Sequence, residues 1–288
     1  MSRIAYVNGR YVPYAQAAVH VEDRGFQFAD SIYEVVEVRD GALVDEPRHL
    51  ARLERSLAEL RIPRPMSEGA LRHVMGEVVR RNRVRNGLLY IQVSRGAAPR
   101  EFYFPDAGEV EPTIVCLARP QSRAALEARS LAGIAVKTVP DIRWQRCDIK
   151  TVMLLPACLA KEAAREEGAR EAWFVAADGL VTEGASSNAW IVSREGAVIT
   201  RQLARDILPG VTRATLIDVL KQEGLTLQER PFTVEEALGA KEAFITSATQ
   251  IVMPVVRIDG RTVGDGKPGA TTLFLRSKFH QFATISSA

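Results

Sequence analysis

An α+β fold in two domains is what this sequence predicts, and three observations predict it. Hairpin signals cluster at the start of the chain. Strands and helices then interleave without the regular alternation of a doubly wound sheet. A polar stretch, residues 119–130, separates two halves that each carry their own apolar strands. At 288 residues the chain has room for about two domains. The expected division is an N-terminal α/β domain over 1–118, a linker over 119–130, and a larger strand-rich domain over 131–288.

Each element has its own signal. IAYV and RYVPY flank Asn8-Gly9, a strong hairpin pair. YEVVEVRDGALV repeats the pattern around Asp40-Gly41. After Pro47, Leu50, Leu53, Leu57 and Leu60 recur at helical spacing, and Pro63 lies just past the end. Ser67 stands as the N-cap of a second helix with Leu71, Val74, Met75 and Val78 on its apolar face. GLLYIQVS and TIVCLA read as buried strands, and GIAVKTV as a strand after the linker. A helix follows from about Leu154 to Glu167 and stops at Gly168. EAWFVA, LVTEG and NAWIVS form a strand-rich stretch around the Asp178-Gly179 turn. GVTRATLIDVLKQEG is an amphipathic helix ending at Gly224, EAFITSA a strand, VVRIDGRTV a hairpin, and Pro268 opens a last helix.

Composition narrows the class. Hydrophobic residues make up 47% and charged ones 25%, as in soluble globular proteins. A net charge of +3 with scattered arginines argues against a nucleic-acid partner. Cys116, Cys147 and Cys158 form no C-x-x-C pair and are odd in number, which argues against a metal site or a disulfide framework. A reducing cytoplasm is the expected compartment. The N-terminus lacks the apolar core of a secretory signal, and no run of ~18 apolar residues suggests a membrane span.

Four stretches carry chemistry. In DIRWQRCDIKTVMLLPACLAK, Lys150 stands among Ile149, Val152, Met153, Leu154 and Leu155. Partial desolvation there favours the free amine and a nucleophile toward carbonyls; the plainer reading is a lysine whose ammonium reaches water. In LVTEGASSNAWIV, neighbouring hydroxyls are expected to hold Glu183 toward a cation such as a pyridinium nitrogen; an exposed acid in a turn is the alternative. In ILPGVTR, Val211 and Thr212 open a helix whose free N–H groups suit a phosphate, although every helix start needs its donors satisfied. Arg52, expected on the face away from part of the leucine stripe, is either a phosphate ligand or one more solvated arginine.

Together these supply a lysine for a Schiff base, an acid for a pyridine nitrogen and two phosphate-binding elements, the parts of a site for pyridoxal 5'-phosphate (PLP). DRGFQFADSIYEVV, SRGAAPREFYFP, DIRWQRCDIKT, VTEGASSN, ILPGVTR and ITSATQIVMPV fall in order along the chain. On these motifs the chain resembles the class IV aminotransferases, the PLP fold-type IV group, and most of all its D-amino-acid branch. The resemblance implies that Lys150 carries the cofactor and shuttles the proton, and that Glu183 pairs with the pyridine nitrogen. It assigns the phosphate to Arg52, the Val211 and Thr212 amides, the Thr212 hydroxyl, Ser247 and the Ala248 backbone. Leu208 would pack on the ring and Tyr33 would line the substrate side. Arg100 would bind the substrate α-carboxylate from the neighbouring subunit of a homodimer.

The implied reaction is a ping-pong transfer of an amino group from a D-amino acid to a 2-oxo acid. Two positions depart from the pattern. Arg100-Glu101-Phe102 stands where Arg-x-His is usual, which removes an imidazole from the carboxylate trap and opens the question of substrate range. Phe102 reads equally as a core aromatic. Ala248 replaces a more typical threonine. The alternatives are a transaminase of branched-chain L-amino acids or of (R)-amines, an aminodeoxychorismate lyase of the same group, and a PLP-fold scaffold that only binds partners.

Overall fold

The computed structural model describes residues 3–106 and 108–287. They fall into two units. One comprises the chain up to Arg123, the short segment Ile149–Met153 and the C-terminal strand after Ala283; the other comprises Ala124–Asp148 and Leu154–Ala283.

The first unit is built on an antiparallel sheet. Its elements are β1 (Ile4–Val7), β2 (Arg10–Pro13), α1 (Arg24–Phe28), β3 (Ser31–Arg39), β4 (Ala42–Val44), α2 (Glu46–Glu59), α3 (Glu68–Arg81), β5 (Gly87–Ser94) and β6 (Thr113–Pro120). The C-terminal strand Ile285–Ser287 joins the edge, and the order is C-terminal strand, β4, β3, β5, β6, β1, β2. Asn8 and Gly9 take φ of 42° and 86°, and Asp40 and Gly41 take 53° and 90°. This is the double left-handed geometry that matches strand twist in a two-residue hairpin. Ser67 Oγ accepts the Ala70 N–H at 3.3 Å and caps α3. Along β3, Ile32, Glu34, Val36 and Val38 are buried in alternation, so a glutamate occupies the core register. Helix α2 packs on β3, and α3 on β6 and β1.

The second unit carries a mixed sheet. Its elements are α4 (Arg123–Ala132), β7 (Ile134–Pro140), α5 (Leu155–Glu166), β8 (Glu171–Val175), β9 (Val181–Gly184), β10 (Asn188–Val192), β11 (Val198–Thr200), α6 (Val211–Gln222), β12 (Leu227–Glu229), α7 (Val234–Gly239), β13 (Glu242–Ser247), β14 (Ile251–Ile258), β15 (Arg261–Thr262) and α8 (Ala270–Phe282). The order is β12, β11, β10, β13, β14, β7, β8, β9, with β15 beside β14. Trp173, Phe174, Trp190 and Phe244 are fully buried on it. Helices α6 and α8 pack on each other and reach β13.

Two expectations need correcting. Residues 119–130 are not irregular chain, although the units divide within them, at Arg123 and Ala124. Arg119 and Pro120 finish β6 opposite Leu88 and Gly87, and Arg123–Ala132 is a helix that buries only Leu126 and Ser130. Its alanines, leucines, glutamate and arginines favour a helix, but so thin an apolar stripe leaves little periodicity to read. Lys150, expected in the second domain, lies in the first unit. Its five-residue segment runs beside β3: Tyr33 N–H donates to Lys150 O at 2.9 Å, Val152 N–H to Ser31 O at 3.1 Å, and Thr151 bridges Ile32.

Candidate active site

In the first unit, Lys150 meets Tyr33, and its backbone meets the helix that carries Arg52. Lys150 is half-buried, and its Nζ lies 4.3 Å from the centre of the Tyr33 ring. Its backbone N–H donates to Ser56 Oγ at 3.4 Å, one helical turn beyond Arg52. Tyr33 stacks on Tyr90, with ring centres 5.7 Å apart, and burial pushes the Tyr90 phenol up to about 12.

Arg52 is not on a wet face. Helix α2 buries two neighbouring rows, Leu50, Leu53 and Leu57 beside His49, Arg52 and Ser56. Arg52 Nε and Nη2 grip Glu34 Oε1 and Oε2 at 2.7 and 2.8 Å, and His49 Nδ1 meets Oε2 at 2.7 Å. Burial raises the Glu34 carboxyl, but Arg52 and His49 outweigh it and hold the group at about 2. Burial lowers His49 further than Glu34 raises it. A neutral His49 therefore donates its Nδ1–H to an ionised Glu34. Sequence reasoning missed Glu34 and His49; a glutamate in the buried register of β3 was the available signal.

Arg100 and Phe102 lie on the loop after β5. That loop is pinned from below. Arg24 Nη1 donates to Glu101 O at 2.6 Å and Nε to Asp30 Oδ2 at 2.8 Å, while Arg95 forks onto the same carboxylate at 2.7 and 3.0 Å. Arg100 is exposed, with its guanidinium 5.2 Å from the Phe28 ring centre and 5.9 Å from that of Phe102. Phe102 is 78% exposed in the chain, so it is not a core aromatic; it meets Phe28 edge-on at 5.7 Å.

In the second unit, Glu183 is buried at 4% exposure. Its carboxylate is gripped by groups that the local sequence did not suggest. It receives Arg143 Nη1, Asn188 Nδ2 at 3.1 Å and the Leu208 N–H at 3.1 Å to both oxygens. Asn188 comes from β10, while Arg143 and Leu208 come from the loops after β7 and before α6. Arg143 also binds Asp141. Burial would weaken both charges, yet their pairing holds Asp141 below the ordinary carboxylate value and Arg143 above that of a free guanidinium. Arg143 and Asn188 are further residues the sequence did not reveal; Arg143 reaches Glu183 across 40 positions.

Leu208 leads into the start of α6. Gly210 is the N-cap and no side chain caps this helix. A Cβ on Gly210 would come within 2.1 Å of Asn188 Oδ1, so a side chain there would displace the Asn188 amide that binds Glu183. Val211 and Thr212 follow, both buried. Asn188 faces Thr246 across β10 and β13, which brings the end of β13 to the same edge. Ser247 and Ala248 begin the turn there, and Ser247 Oγ lies 3.2 Å from Thr249 Oγ1. Burial lifts the Cys147 and Cys116 thiols to about 12, which leaves them poor nucleophiles.

The model of the amino-transferase class IV family matches residues 31–258. The chain belongs to the class IV aminotransferases. A D-alanine aminotransferase from Bacillus licheniformis is 40% identical over 265 residues, 92% of each chain. One from Staphylococcus haemolyticus is 39% identical over 98% of this chain and 99% of its own. Among solved structures, the Escherichia coli branched-chain amino acid aminotransferase has a TM-score of 0.88 at 23% identity, covering 98% of this chain and 94% of its own. That of Thermoproteus uzoniensis scores 0.84 at 24%, covering 99% of both. These two likenesses speak for the fold alone.

The donor set of this class IV aminotransferase suits PLP at both ends. Leu208 N–H touches Glu183, and the first amides of α6 begin three residues later, at most about 11 Å along the chain. A carboxylate for a protonated ring nitrogen thus sits near uncapped helix amides for a phosphate.

Proposed function

We propose that this chain is a PLP-dependent transaminase that takes the amino group of a D-amino acid and passes it to a 2-oxo acid in two half-reactions. The observation that carries the reading is the Glu183 carboxylate, fixed by Arg143, Asn188 and Leu208 beside the open start of α6. PLP, when bound, supplies a pyridinium ring that can take up the charge left when a Cα proton departs.

The residues divide the work. Lys150 would supply both the amine that holds the cofactor and the base that takes the Cα proton. The Tyr33 ring under its Nζ orients that amine and lines the substrate side. Glu183 would keep the ring nitrogen protonated, and Leu208 would pack on the ring. The Val211 and Thr212 amides, the Thr212 hydroxyl, Ser247 and the Ala248 N–H hold the phosphate, and Arg52 adds positive charge while tied to Glu34. Arg100 grips the α-carboxylate with two parallel hydrogen bonds, reaching the site of a neighbouring subunit in a homodimer. The similarity to D-alanine aminotransferases supports the D-series. A second reading, with amines lacking a carboxylate as slow substrates, draws on the exposed Phe102, which offers no hydrogen bond where an imidazole is usual.

The test is the first half-reaction of the PLP-loaded protein, followed by absorbance with both enantiomers of alanine, leucine and an arylalkylamine. Faster reaction with the D-amino acids is expected. Faster reaction with the L-amino acids would overturn the D-assignment while keeping the transaminase.

A further inference from the structure

The turn from β13 to β14 contains a residue in the wrong conformation for its type. Ser247 pairs with Ile251 across the ladder, and Gln250 N–H returns to Ser247 O at 3.2 Å. Three residues thus form the loop, and the one after them takes the left-handed conformation that such hairpins need, ordinarily as glycine. Here it is Ile251, with φ of 63° and a side chain 3% exposed. A β-branched residue in that region is a genuine outlier, and it persists only where its surroundings over-determine it.

A buried arginine bridges the residues on either side of it. Arg276, on the inner face of α8, sends Nη1 to Gln250 O at 2.8 Å and to Val252 O at 2.7 Å. It therefore grips the carbonyls on both sides of Ile251. The other end of the guanidinium is held by Glu127 of α4, through Nε at 3.3 Å and Nη2 at 3.1 Å. We infer that Arg276, steadied by Glu127, is a positioning residue that locks Ile251 in the left-handed region and so fixes the Ser247–Ala248–Thr249 turn in its phosphate-binding shape. The inference rests on the cofactor reading above, in which Ser247 and the Ala248 N–H meet the phosphate. Without the clamp the strain of a β-branched residue at positive φ favours its return to negative φ.

The test compares PLP with pyridoxal, which has the ring but no phosphate, titrated into the full-length apoprotein by tryptophan fluorescence. Arg276→Gln should weaken PLP by about tenfold, the effect of ~1.4 kcal/mol, and leave pyridoxal within about twofold. Arg276→Lys, which cannot bridge two carbonyls and Glu127 together, should shift PLP in the same direction and serves if the glutamine variant does not fold. Adding Ile251→Gly to either variant should restore most of the PLP affinity, because glycine adopts the left-handed conformation without a clamp. Equal losses for PLP and pyridoxal, or no loss for PLP, would overturn the clamp. Failure of the unmodified apoprotein to bind PLP would instead overturn the cofactor reading.

Discussion

Replacing Glu34 by glutamine tests the buried cluster that carries Arg52. The substitution keeps the shape and removes the charge. Glu34 is fully buried and Arg52 is 9% exposed, so the variant leaves a guanidinium in the core with an amide oxygen in place of a carboxylate. Two estimates of the cost agree. Breaking a buried pair by removing one partner costs about 3–5 kcal/mol. The fall of Glu34 from 4.5 to about 2 points to a cost of the same order, about 3 kcal/mol. The sign follows from the direction. A folded value below the unfolded one means the stabilisation is complete above about pH 4.5 and is lost as pH falls toward 2. Urea unfolding of the two proteins should therefore differ by about 3 kcal/mol at pH 7, and the gap should shrink to less than half of that at pH 3. A gap below ~1 kcal/mol at pH 7, or one unchanged between pH 6 and 3, would refute the reasoning.

Three further outcomes follow from the site. Glu183→Gln should keep PLP bound through dialysis but slow the half-reaction about 10²–10³-fold, the scale for losing one preorganised electrostatic partner; stopped-flow absorbance checks this, and a near-normal rate contradicts the role given to Glu183. Thr212→Ala should weaken PLP by about 1.5–3 kcal/mol, the worth of a hydrogen bond to a charged group, with activity recovered in excess PLP; unchanged retention of PLP would count against the phosphate end. Arg100→Ala should depress turnover of D-amino acids far more than of arylalkylamines, and equal losses for both would separate Arg100 from the carboxylate.

Much of this fold is legible residue by residue. Asn8-Gly9 and Asp40-Gly41 announce their hairpins because few pairs accept two positive φ values in succession. The leucines of α2 and the apolar face of α3 announce helices because burial imposes their spacing. Helix α4 stays hidden because it buries two residues in ten. The partners of the site are harder still. Lys150, Glu183 and the start of α6 each advertise a chemistry locally. Arg143 and Asn188, which hold Glu183, and Arg276, which holds the turn at Ile251, act through contacts set by sheet and helix packing. Glu34 is the intermediate case: strand alternation places it in the core, but only the fold shows that Arg52 and His49 meet it there. Lys150 in the first unit could not be read at all, since five residues returning to pair with β3 leave no mark of their own in the sequence.

The most direct measurement is chemical. PLP-loaded protein is reduced with borohydride, which fixes the cofactor to whichever amine holds it, and is then digested and mapped by mass spectrometry. Label on Lys150, the lysine poised over the Tyr33 ring, is the predicted result. Label on Lys137, which is paired with Glu167, or on Lys161, which lies against Glu171, would contradict the assignment of the site.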